Sequence, residues 1–272
     1  MPKYTKQIVV FIDILGFSNM LPDFEKEAMD NDSSEDELYH QSPTLNRLLQ
    51  IFQDSVRWIR EKSCNHYLFS DNICITIDYV VEETEQPTLF LEILQLVNLL
   101  NYEFIREGYF IRGGIDAGWF LDSSDMAAGV PLVNAYRLES ETAVHPRVIV
   151  SDSFYSVILQ MRSLGNFSSD EESVLDRLLV EEDGVRFING YAHIQNFEDS
   201  AGKKDYLMIC REKISAALDK YNGIARVHAK YKWTAEKFDA FLEDYIQNQE
   251  RYEIAETWEE QELLAIRDLK IN

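Results

Sequence analysis

The stretch from Gln7 to Phe17 constrains the fold of this chain more than any other. Ile8-Val9-Val10-Phe11-Ile12 is an unbroken β-branched and aromatic run, which reads as a buried strand. The run ends on Asp13, and Gly16 then lets the backbone turn sharply. A carboxylate at the exit of a buried strand is costly unless something holds it. Asp13 therefore either caps the turn that follows or faces a cation.

The chain has 272 residues, enough for one large domain or two small ones with a sizeable core. A hydrophobic content of 46% with 12% aromatics is that of a folded protein. The net charge of −22 repels nucleic acid and anionic membrane, so neither is an expected partner. It also repels a free triphosphate, so a nucleotide site here needs divalent cations and nearby Arg or Lys. Cys64, Cys74 and Cys210 are too widely spaced for a zinc or redox motif and read as buried free thiols. Five unclustered histidines argue against a zinc enzyme. Neither a leader peptide nor a run of membrane-spanning length is evident, so the expected location is the cytoplasm.

Several elements can be placed in order. Residues 21–41 form an acidic, exposed insert, with a helical turn expected around Phe24. Ser42-Pro43 starts a helix that Leu45, Leu48, Leu49, Phe52, Val56 and Ile59 continue at helical spacing to about Glu61. Two strand-like runs flank Ser70-Asp71-Asn72, a tight-turn sequence. If this hairpin neighbours the first strand, Asp13 and Asp71 meet at one sheet edge, an oxygen-rich site suited to Mg2+ or Mn2+. A second long helix runs from Pro87 to about Arg106. The strand after it, Tyr109 to Gly118, contains Gly113, Gly114 and Gly118, which implies close approach of either a ligand or a packed element. Gly129 to Glu139 opens a further helix, and Arg147 to Ser151 is a strand. Residues 152–182 read as helical and peripheral, and Val185–Ile188 with Tyr191–Ile194 as a hairpin around Asn189-Gly190. From about Lys203 the pattern is helical, with a stop at Gly223. No repeat and no clear domain boundary interrupts the chain.

Four blocks of this sequence resemble the class III nucleotide cyclases, most closely the pyrimidine cyclases of the bacterial Pycsar anti-phage system. They are Phe11-x-Asp13-x-x-Gly16-Phe17, Phe69-Ser70-Asp71, Arg112-Gly113-Gly114-Ile115-x-x-Gly118, and Gly129 to Glu139, all within residues 7–151. The resemblance implies an α+β fold. Its catalytic core, residues 1–200, is ferredoxin-like, an antiparallel sheet with helices packed on it. A helical C-terminal extension, residues 201–272, packs on the same domain. It implies a head-to-tail homodimer with active sites at the interface and two Mg2+ or Mn2+ ions per site. Asp13 and Asp71 match the metal-binding aspartates. The backbone from Ile14 through Gly16 to Phe17 matches the turn that contacts metal and triphosphate. Arg137 matches the transition-state arginine, reaching in from the other subunit, and Arg147 the triphosphate-binding cation.

Two departures bear on the substrate. Purine cyclases carry Lys where this chain has Tyr67, and Asp or Cys where it has Met126. Neither purine-reading group is present, and a Tyr can hydrogen-bond a pyrimidine edge. An ungapped match puts Val133 at the ribose-orienting Asn, so Asn134 takes that role only with a one-residue shift. The implied activity is conversion of UTP to 3′,5′-cyclic UMP and pyrophosphate, the product acting on a separate effector protein. The alternatives, in order, are CTP as substrate, a purine cyclase, and a non-catalytic nucleotide-binding domain.

Overall fold

A computed structural model describes residues 4–30, 40–60, 64–80, 86–123, 126–248, 252 and 260–271. The apolar run forms β1 (Tyr4–Ile14), whose residues from Ile8 to Ile14 are all buried. After it come α1 (Leu21–Asp30), α2 (Pro43–Arg60), the hairpin strands β2 (Cys64–Phe69) and β3 (Asn72–Asp78), α3 (Gln86–Arg106) and β4 (Ile111–Ser123). Without α1, the order β1-α2-β2-β3-α3-β4 and the strand arrangement β2-β3-β1-β4 define a ferredoxin-like unit. Within it β3 and β4 each pair antiparallel with β1, and β2 pairs antiparallel with β3.

The sheet continues beyond this unit. β4 turns back into β5 (Met126–Gly129), and α4 (Val130–Arg137) and a π-helical turn, Leu138–Thr142, follow. β6 (Val148–Val150) then joins β4 in parallel, so the sheet is mixed rather than purely antiparallel. α5 (Asp152–Ser163) and α6 (Ser169–Leu178) lead to β7 (Leu179–Glu182) and β8 (Val185–Ile188), which close the sheet edge.

Period-2 alternation divides the two faces. Ile8, Val10, Ile12, Ile73, Ile75, Ile77, Ile111 and Ile115 face the main core, where Phe90, Leu94 and Val97 of α3 cover them. The part Thr88–Arg106 of α3 is long and apolar enough to cross a membrane by length and composition, yet 61% of its apolar window is buried inside the fold. On the opposite face Val9, Phe11, Cys74 and Phe120 make a smaller cluster with Ala135 of α4. The C-terminal helices α7 (Ser200–Lys220), α8 (Ala225–Gln247) and α9 (Glu260–Arg267) build a second core. It joins the sheet through Leu15, Phe110 and Tyr102, which bury with Tyr206, Cys210 and Tyr231.

Some expectations hold and others are corrected or sharpened. The acidic segment begins as a docked helix, α1, whose Phe24 is buried and whose Glu27 accepts from Ser42 Oγ and from the amide (3.1 Å) and hydroxyl (2.8 Å) of Thr44; residues 31–39 lie outside the described residues. Ser42 caps α2 as expected, accepting from the Leu45 amide at 3.1 Å. The hairpin is not at Asn189-Gly190: β7 and β8 turn at Asp183-Gly184, whose φ of +53° and +75° suit a two-residue turn. Tyr191–Ile194 instead lies in a short 3-10 stretch at Ala192–Asn196, with Tyr191 as its N-cap. The strand-period residues Leu179–Glu182, read as helical, pair with β8 because that edge was open. The three cysteines form no disulfide and are buried.

Candidate active site

β1 places Asp13 on the sheet face away from the main core. Its cross-strand neighbours are Arg112 on β4 and Asn72 on β3. Asp71 sits at the tip of the β2–β3 hairpin, where Ser70 adopts φ +59° to turn the chain. The turn after α4 delivers a third carboxylate, Glu139, which is buried. The glycines of β4 explain how it gets there. A Cβ on Gly114 would stand 2.3 Å from the Ala135 carbonyl oxygen and 2.7 Å from Leu138 Cβ. Of the two alternatives for this glycine, close approach serves a packed helix: α4 lies directly on the β4 backbone.

One cation holds the group. Arg112 Nε donates to Asp13 Oδ2 at 2.8 Å, and Arg112 Nη2 lies 2.7 Å from Glu139 Oε1. The second contact is close but poorly aligned, so this buried oxygen has no well-formed hydrogen bond. Burial raises the Asp13 carboxyl to about 6, and a hydrogen bond and charge from Asp71 add to the rise against Arg112. Burial likewise raises Glu139 to about 7, assisted by Asp13 and Asp71 and opposed by Arg112. Asp13 thus interacts directly with both Asp71 and Glu139.

These residues suit a hard divalent ion. No group of three or more His, Cys, Asp or Glu is arranged to enclose a metal among the described residues. That is compatible with Mg2+ or Mn2+, which is held by one or two carboxylates while water and substrate phosphates fill the other positions. Asp13 and Asp71 are the pair that could hold such an ion, and their proximity to Glu139 concentrates carboxylates there. Ile14 continues β1 beside Ile111, the Leu15 amide donates to Phe110 O at 2.8 Å, and Gly16 turns at φ +81°. Phe17 anchors the turn against Phe24.

Tyr67, Cys74, Phe11 and Gly114 form a row across the same face, two residues from the Asn72-Asp13-Arg112 row, about 7 Å away. Tyr67 stacks on Phe69 with ring centroids 6.5 Å apart. Met126 pairs with Ser123 at the far end of β4 from Arg112. Asn134 Nδ2 donates to the buried Asp116 at 2.9 Å. Arg137 is exposed in the last turn of α4, and the groups acting on Asp13 are Arg112 and Asp71. Arg147 lies between the rings of Phe187 and Trp233, its guanidinium 5.2 and 5.4 Å from their centroids. Arg112 and Glu139 are site residues that sequence reasoning did not single out. Arg112 meets Asp13 only through strand pairing across 99 positions, and neither Arg112 nor Glu139 carries a local signal of its role.

No protein-family model matches this sequence, and no curated protein matches it. Among solved structures the chain is similar to the adenylyl cyclase CyaB from Pseudomonas aeruginosa, at 16% identity over 59% of this chain and 83% of that one, with a TM-score of 0.41. It is also similar to the monomeric guanylyl cyclase domain of the RhoGC fusion protein from the aquatic fungus Blastocladiella emersonii, at 14% identity over 68% and 95% of the two chains, TM-score 0.44. A third is a class III adenylyl cyclase-like ATP-binding protein from Pseudomonas aeruginosa, at 15% identity over 57% and 35%, TM-score 0.41. The likeness is distant and carries neither activity nor substrate across.

Proposed function

We propose that this chain is a nucleotide cyclase. It acts on a pyrimidine nucleoside triphosphate, UTP ahead of CTP, and releases the 3′,5′-cyclic monophosphate and pyrophosphate. The observation that carries this reading is the meeting of Asp13 and Asp71 at the end of the sheet beside the Leu15–Phe17 turn. In the reaction the ribose 3′-oxygen forms a bond to the α-phosphorus, the bond to the bridging oxygen of the β-phosphate breaks, and the 3′-hydroxyl proton leaves to solvent. Two Mg2+ or Mn2+ ions held by Asp13 and Asp71 would supply Lewis acidity for the 3′-oxygen and charge neutralisation for the phosphates. Arg112 keeps Asp13 aimed, and the turn through Gly16 presents backbone to the phosphates. Arg137 stabilises the charge that develops at phosphorus.

Met126 lies at the far end of β4 from Arg112, and Arg137 is not among the groups acting on Asp13, which supports a site completed by a second copy. The face that carries Asp13 also exposes Phe69, Val130, Val133 and Tyr136, apolar surface of the kind an interface covers. The pyrimidine preference rests on Tyr67 and Met126 at the positions where purine cyclases read the base. With that substrate, the activity proposed is second-messenger synthesis in the cytoplasm during phage infection, read by a separate effector.

The test is incubation with each of the four nucleoside triphosphates and Mn2+, with product separation by chromatography. Cyclic UMP as the main product is expected. Turnover of ATP or GTP alone would remove the pyrimidine assignment, and nucleotide binding without any turnover would identify a non-catalytic domain.

A further inference from the structure

A triphosphate needs cations beyond bound metals, and Arg147 does not reach the carboxylates. Its guanidinium is covered by Phe187 and Trp233, and its Nη2 contacts the Thr142 carbonyl at 3.5 Å. The C-terminal extension brings other cations instead. Tyr231 of α8 packs edge-on against Phe110, the residue before β4, with centroids 5.0 Å apart. Tyr231 also buries in one cluster with Leu15, two residues beyond Asp13. Trp233 stacks on His145 at 4.9 Å and 7°. These contacts hold α8 across the end of the sheet where β1 exits and β4 enters.

Lys230 immediately precedes Tyr231 in α8, three residues before Trp233, and is half-buried. Arg226 is one helical turn before it, on the same side of α8. Burial lowers Lys230 from the usual ammonium range, as do Arg112 and Arg226, while Asp13 and Glu139 pull it back. Lys230 thus shares a local field with both carboxylates. Neither Lys230 nor Arg226 forms an ion pair among the described residues. A half-buried ammonium among like charges, without an ion pair among the described residues and on the helix that packs against Leu15, is matched by a polyanion.

We infer that Lys230, backed by Arg226, binds the β- and γ-phosphates of the substrate, so that the C-terminal extension completes the triphosphate site. The inference deepens the cyclase reading and rests on it for the substrate's identity. It assigns α8 a role that the four sequence blocks do not cover.

The probe is inorganic tripolyphosphate, titrated calorimetrically into the full chain with Mn2+ present. Lys230→Ala should weaken binding by about tenfold or more, the effect of losing a charge-assisted contact. Lys230→Arg should recover most of it. Lys232→Ala, which removes the same charge from an exposed position of α8, should stay within about twofold of the parent. With nucleotide, Lys230→Ala should raise KM more than it lowers kcat. Equal binding by the Lys230→Ala and Lys232→Ala proteins overturns the inference. If tripolyphosphate binding depends on Lys230 but no nucleoside triphosphate is turned over, the polyphosphate site stands and the cyclase reading fails. If the parent turns over nucleotide and Lys230→Ala does so with unchanged KM, the cyclase reading stands and the role of Lys230 falls.

Discussion

At the scale of single residues, Asp13 is held at a cost that its neighbours only partly offset. Its carboxyl is raised from 3.8 to about 6, chiefly by burial, so the folded chain holds this proton where the unfolded chain releases it. A raised carboxyl stabilises the fold below about pH 4 and loses that contribution as pH rises through about 6. Glu139 acts in the same sense up to about 7. Without divalent ions, the Tm of Asp13→Asn should therefore rise relative to the parent between pH 5 and 8, by at least ~2 °C, the shift that ~1 kcal/mol produces in a chain of this size. Mn2+ should then stabilise the parent and not the variant. Parallel Tm curves over that range would show that Asp13 bears no such load. Asp71→Ala should cost turnover by on the order of 100-fold or more with little change in Tm, because Asp71 sits at a half-exposed hairpin tip. Rate and melting measurements on the same preparation check both halves.

At the scale of elements, α4 seated on β4 is the contact that builds the site. Gly114 has no Cβ, so the Ala135 carbonyl can close on the strand and the following turn can bring Glu139 to Arg112. Gly114→Ala should destabilise the protein by about 1–3 kcal/mol, the usual cost of forcing a methyl into a filled space. A lowered urea midpoint at constant slope is the expected reading, with activity falling alongside. An unaltered midpoint would mean that α4 does not rest on β4. The hairpin strands β2 and β5 carry the proposed base-reading positions. Tyr67→Lys combined with Met126→Asp should raise the ratio of ATP to UTP turnover by about tenfold, the scale on which one pocket group discriminates substrates. An unchanged ratio in the four-nucleotide assay would place neither residue at the base.

For the whole molecule, the distribution of site residues matters more than any one of them. Asp13, Asp71, Arg112 and Glu139 cluster at one end of the sheet, whereas Met126 lies at the other and Arg137 projects from α4. In the proposed cyclase a single chain presents two half-sites, and a head-to-tail pair would join them. Mixing Asp13→Ala and Arg137→Ala proteins, each inactive alone, should restore about a quarter of the parent activity: random exchange puts half the chains in mixed dimers with one intact site each. No recovery, with the parent monomeric by sedimentation, would require a site contained in one chain.

Local pattern was enough to locate β1, the Ser70-Asp71-Asn72 turn, α2, α3 and the cap at Ser42. Each depends on residues close together in the chain: a β-branched run, a turn tripeptide, an apolar stripe at helical spacing, a hydroxyl before Pro43. Even the pairing of Asp13 with Asp71 follows once β1 and β3 are neighbours. The same local reading misplaced the last hairpin, because Asn189-Gly190 and Asp183-Gly184 are equally good turns, and only the free edge of β8 and a strand to meet it select the second. The rest of the cluster arises across long separations. Arg112 meets Asp13 over 99 positions, Glu139 arrives on a helix whose seat is a missing Cβ, and Lys230 comes from a helix held by the ring of Phe110. No periodicity encodes such meetings; they are decided by which faces pack, and the sheet and its helices must be complete before those side chains share one electrostatic field.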